Sequence, residues 1–73
     1  MNLLELIEEF QKIMANIANV TEETNTQVKQ IPDVSIAEAP AKINAIFDLC
    51  AEGIKGFQEA SAKAEEIQKV LGR

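Results

Sequence analysis

The chain is predicted to be all-α and to fold into an antiparallel helical hairpin, on three observations. Apolar residues recur along both halves at alternating intervals of four and three, the signature of one face of a long helix. The hydrophobic fraction of 47% comes mostly from Ala, Ile, Leu and Val, with Phe10, Phe47 and Phe57 the only aromatics, beside abundant Glu, Lys and Gln; that mixture favours helix over strand. The only two prolines, Pro32 and Pro40, fall together in the middle of the chain, where they punctuate the pattern.

The first helix is read over residues 2–30. Leu3, Ile7, Phe10, Met14, Ile17, Thr21, Thr24, Val28 and Ile31 keep the 4-3 alternation throughout, and Glu5, Glu8 and Glu9 suit the positive end of its dipole. Leu6, Ile13 and Val20 form a second apolar row beside the first, wider than a two-stranded seam requires. The weak stretch is Val20–Gln27, "VTEETNTQ". Its threonines are β-branched and polar, so a fray or a break near Thr21–Thr26 is an alternative.

Residues 31–39 read as a turn. Pro32 disfavours helix at Ile31, and Asp33 and Ser35 are turn or cap residues. Ser35-Ile36-Ala37-Glu38 matches a capping box, while Pro40 tolerates only the first helical positions. The conflict resolves as a short turn over 35–38, with Val34 and Ile36 lying over the end of the pair. The second helix then covers residues 40–71 and stops at Gly72. Its stripe is Ile43, Phe47, Cys50, Ile54, Phe57, Ala60 or Ser61, Ala64, Ile67 and Leu71. Glu8–Lys12, Lys55–Glu59, Glu59–Lys63 and Glu65–Lys69 stand four apart and are expected to pair.

Helices of these lengths extend about 43–48 Å, and the short connection folds them back antiparallel. Facing residue numbers should then sum to about 74. This register sets Leu3 against Leu71, Phe10 against Ala64, Met14 against Ala60 or Ser61, Ile17 against Phe57, and Val28 against Phe47. These residues, with Ile7 and Ile54, make up the expected hairpin core. Gly53 falls beside the Thr21 layer and Gly56 nearer the outer face. Two glycines inside a helix cost about 1 kcal/mol each, which implies a close contact or a bend there. A helix end at Gly53, giving three helices, is the alternative.

Two helices cannot surround a core, and ordering a chain of 73 residues costs more than one shared seam returns. The second row, Leu6, Ile13 and Val20, with Leu49 and Val70 from the second helix, therefore reads as an interface. The expected assembly is a self-associating, four-helix-bundle-like homo-oligomer, with a dimer favoured. All of residues 1–73 belong to one helical-hairpin domain.

Composition excludes several functions. The net charge is −5, with no histidine, and the lysines and Arg73 are interleaved with acids, so there is no basic face for nucleic acid. Glu5, Glu8 and Glu9 interrupt the apolar start, which reads neither as a cleavable signal nor as a membrane span. The single Cys50 cannot form an internal disulfide. A cytoplasmic location is the default, with export lacking a cleavable signal as the other option. Without His or Tyr, catalysis would rest on carboxylates or lysines. Asp48 and Glu52, Glu22-Glu23 and Glu65-Glu66 read as solvated faces, and Cys50 as a small buried hydrophobe. No catalytic residue, cofactor or metal site is expected.

A helical hairpin with prolines in its connection resembles in shape the needle subunits of type III secretion. Pro32 and Pro40 stand eight residues apart and do not reproduce that family's paired-proline connection. The resemblance is one of shape only; the second functional expectation is a structural subunit of a filament or secretion-type assembly that polymerises through the same apolar faces. The first is a small acidic, non-enzymatic protein–protein interaction module: accessory, inhibitor or chaperone-like.

Overall fold

The chain doubles back once. In the computed structural model, which describes residues 2–72, α1 spans Leu3–Lys29 and α2 spans Ala39–Val70. A single 3-10 turn, Ile31–Asp33, lies between them, and no strand occurs among the described residues. Met1 and Arg73, the ends of the expected domain, lie outside those residues. The helical hairpin is therefore present, with each predicted helix boundary within one residue of its observed place.

The ends of the helices follow from local chemistry. Asn2 accepts the Glu5 N–H through its side-chain oxygen at 2.8 Å and donates its amide to the Glu5 carboxylate at 3.3 Å. Two donors near the helix start are satisfied in this way. At the turn, Ser35 and Glu38 form one half of the capping box: the Glu38 N–H donates to the Ser35 hydroxyl at 3.3 Å, while the Glu38 carboxylate accepts the Ser35 hydroxyl at 3.0 Å in place of the Ser35 N–H. The box sits ahead of α2, so Pro40 falls in the first helical turn, where its missing N–H costs nothing. At the far end Gly72 takes a left-handed φ of 76° and donates to the Lys69 carbonyl.

Helix α1 does not break at its threonines. The hydroxyls of Thr21, Thr24 and Thr26 each donate to the carbonyl four residues back, at 2.9, 2.7 and 3.0 Å. Their polar groups are thereby satisfied inside the helix. Helix α2 likewise runs without interruption through Gly53 and Gly56, so the three-helix alternative does not hold.

The seam between the helices uses a row other than the expected one. Along α1 and its end the seam is Leu3, Leu6, Phe10, Ile13, Ile17, Val20, Thr24, Gln27 and Ile31, with Glu9 half-buried beside it. Along α2 it is Lys42, Ile46, Leu49, Gly53, Gly56, Ala60, Lys63 and Ile67. Both rows keep an alternating heptad spacing. Among the described residues only Leu6, Ile17 and Ala60 are buried outright, at 2%, 5% and 6% exposure. The register is fixed at Ile17, which lies against Gly56 so tightly that a methyl placed there would sit 2.8 Å from Ile17 Cγ1. Ile17 thus faces Gly56, not Phe57, and the close contact belongs to Gly56, while Gly53 has open space above it.

The polar members of the seam are tied across the pair. Lys42 donates to the side-chain oxygens of Gln27 and Gln30 at 2.6 and 2.7 Å near the turn. Lys63 reaches Glu9 at 2.6 Å near the open end and Glu66 at 3.4 Å on its own helix. Polar groups at seam positions fix register because a slip leaves them unpaired. None of the four pairs expected along the outside of the helices forms among the described residues. The result is a rod of 54 × 15 × 14 Å with a radius of gyration of 16.7 Å, against about 11 Å for a compact chain of this length.

Candidate protein-interaction surface

The assignment of the two apolar rows changes in part in three dimensions. Of the residues expected at an interface, Leu6 is buried inside the hairpin, Ile13, Val20 and Leu49 are half-buried along its seam, and Val70 is exposed. Of those expected in the hairpin core, Ile17 is buried, and Leu3 and Phe10 are half-buried. Ile7, Met14, Val28, Phe47, Ile54, Phe57, Ala64 and Leu71 are exposed. The physical reason is the close approach of the helices around Gly56 and Ala60: Gly56 leaves no room for a methyl beside Ile17, Ala60 is buried, and large side chains go to the outside. Ile36 is 93% exposed at the turn and does not cover the end of the pair, and Cys50 is exposed and not a core hydrophobe.

The displaced side chains gather on one flank. Ile7, Met14, Thr21 and Val28 each follow a seam residue of α1 by one position, and Ile43, Cys50, Phe57 and Ala64 do the same on α2. In an antiparallel pair these flanking positions adjoin along the same side. An open groove confirms it: Thr21, Val28, Cys50, Gly53, Ile54 and Phe57 line it together. Every one of these residues is uncharged. The largest are well exposed: Phe47 is 66%, Ile54 60% and Phe57 58% accessible. A run of bulky apolar side chains along a whole rod exceeds the scattered exposure normal for a monomer.

The opposite flank is acidic. Glu9, Asn16 and Glu23 precede the seam residues of α1, and Glu52, Glu59 and Glu66 precede those of α2. Shallow grooves there bring Glu23, Asp48 and Glu52 together at one level, and Glu52, Lys55 and Glu59 at the next. The hairpin is therefore two-sided, charged on one edge and apolar on the other.

One titratable group on this frame is held away from its usual behaviour. The hydrogen bond Lys63 donates to Glu9 raises Lys63 above its ordinary 10.5, partial desolvation opposes the rise, and the charges of Glu66 and Glu9 add to it. The tie belongs to the seam and not to a reactive site. Among the described residues no group of three or more His, Cys, Asp or Glu side chains is placed to hold a metal ion. No helix among them is long and apolar enough to cross a membrane. No protein-family model, curated protein or solved structure matches the chain.

Sequence reasoning placed Ala60 or Ser61 on the seam but missed Gly56, Lys42 and Lys63 as seam positions. A signal was present: Lys42, Ile46, Leu49, Gly53, Gly56, Ala60, Lys63 and Ile67 keep the heptad as strictly as the row that was chosen. Two lysines and two glycines disguise it.

Proposed function

We propose that the chain is a small, acidic, non-enzymatic protein–protein interaction module that acts as a homo-oligomer. The observation that carries this reading is the uncharged flank, on which Phe47, Ile54 and Phe57 stand exposed along one side of the rod. Water contact with such a surface is unfavourable by about 25 cal/mol per Å², and association removes it. The chain's chemistry supports binding over catalysis, since it has no histidine or tyrosine and its grooves are open and shallow. With the apolar flank occupied by association, the acidic flank is left to meet a cationic protein in an accessory, inhibitory or chaperone-like role.

A second reading rests on the tips. Ile36 at the turn and Leu4, Val70 and Leu71 at the other end are exposed large hydrophobes. End-to-end contacts through them would make the chain the structural subunit of a filament. Light scattering across a concentration series separates the two. A fixed mass at a small multiple of 8.0 kDa supports the module, an open-ended size distribution supports the filament, and a single chain mass throughout rejects both.

A further inference from the structure

We infer that the occupant of the apolar flank is a second copy of this chain, packed side by side about a two-fold axis with both acidic flanks turned outward. The inference rests on the self-association proposed above and adds which face is used, by what, and in what closed geometry.

Area is the first argument. The chain exposes 5517 Å², whereas a compact monomer of its mass exposes about 4,500 Å². The excess, about 1,000 Å², is the scale each partner buries in a stable complex, about 800 Å². An excess of this size matches one long flank covered along the rod, and end-on contacts between tips 15 × 14 Å across cannot remove it.

Charge is the second. Each copy carries −5, so two copies repel unless their acids are kept apart. Facing the uncharged flanks does this, because Glu9, Glu23, Glu52, Glu59 and Glu66 lie on the other edge. Any arrangement through the acidic edge brings like charges together across a drying interface.

Shape is the third. A two-fold contact requires one surface to carry both relief and its complement. This flank has projecting aromatics, Phe47 and Phe57, and an open groove whose floor is Gly53, with nothing within 4 Å of a methyl placed there. Aromatic ridges of one copy against the glycine floor of the other bury the residue types that dominate interface cores. Cys50 lines the same groove, so its thiol is covered in the pair.

The test uses the whole chain, with sedimentation equilibrium for mass, circular dichroism for folding and a thiol reagent for Cys50. The wild type is expected to show twice the chain mass at high micromolar concentration. Phe57→Asp and Ile54→Glu should each stay helical and raise the dimer dissociation constant at least ~10-fold, while Glu59→Gln on the acidic edge leaves it unchanged. Reaction of wild-type Cys50 should slow as protein concentration rises. A wild-type dimer that survives both folded flank variants overturns the inference while leaving self-association standing. A wild type that is monomeric throughout overturns both. Should the variants not fold, the wild-type thiol decides: concentration-dependent protection upholds the face, and concentration-independent reactivity overturns it.

Discussion

Gly53 and Gly56 are three residues apart on one helix and do opposite things. Gly56 admits Ile17, whose Cγ1 would lie 2.8 Å from an added methyl, whereas Gly53 opens onto the groove. Replacing either with alanine gains about 1 kcal/mol of helix propensity, but at Gly56 the methyl must displace a buried β-branched side chain, a strain of about 1–3 kcal/mol. Gly56→Ala is therefore expected to be less stable than Gly53→Ala by about 1–3 kcal/mol, measured by urea unfolding at matched concentration. The reverse order would contradict the register. Lys63 gives a second expectation. Its folded pKa is raised above 10.5 by Glu9, so the tie stabilises the fold fully below that pH and is lost as pH climbs through the raised value. The unfolding midpoint should fall on the alkaline side above 10.5, and Glu9→Gln should flatten that fall. An unchanged alkaline slope in Glu9→Gln would count against the tie.

At the level of whole helices, most of what was legible in the sequence concerned where they begin and end. Prolines, a serine–glutamate box and a terminal glycine act through a few neighbouring atoms, and so read directly from the chain. The Asn2 cap belongs to the same class: Asn2→Ala should cost about 1 kcal/mol of stability and fray the first turn of α1, visible as a small loss of helical ellipticity. Which apolar row faces inward was not legible. Leu3, Phe10, Ile17, Thr24 and Ile31 belong to both candidate rows of α1, so periodicity alone does not separate Leu6 and Ile13 from Ile7 and Met14. Bulk then misled the reading. Phe47 and Phe57 were expected inside from their place on the 4-3 stripe, but the α2 row that lets the helices approach carries Gly56 and Ala60 at the contact. The two rows now predict different mutant behaviour. Leu6→Ala removes a side chain that is 2% exposed and should destabilise the hairpin by about 2–5 kcal/mol. Phe57→Ala removes one already 58% exposed and should act on association. Equal losses of hairpin stability from the two changes would return the assignment to the sequence-based one.

Taken whole, the molecule is a rod with a thin seam, three buried side chains and one flank left apolar. A chain this short and this extended has a small interior to set against its ordering entropy. If a second copy covers the flank, folding and association are linked, and the unfolding midpoint should rise with protein concentration. A midpoint independent of concentration would mean the hairpin stands by itself. The most direct measurement is small-angle X-ray scattering, which reads mass and shape together. Side-by-side pairing predicts a particle of twice 8.0 kDa that is thicker than one hairpin but keeps a length near 54 Å. A particle of single-chain mass, or one that doubles in length without thickening, would contradict it.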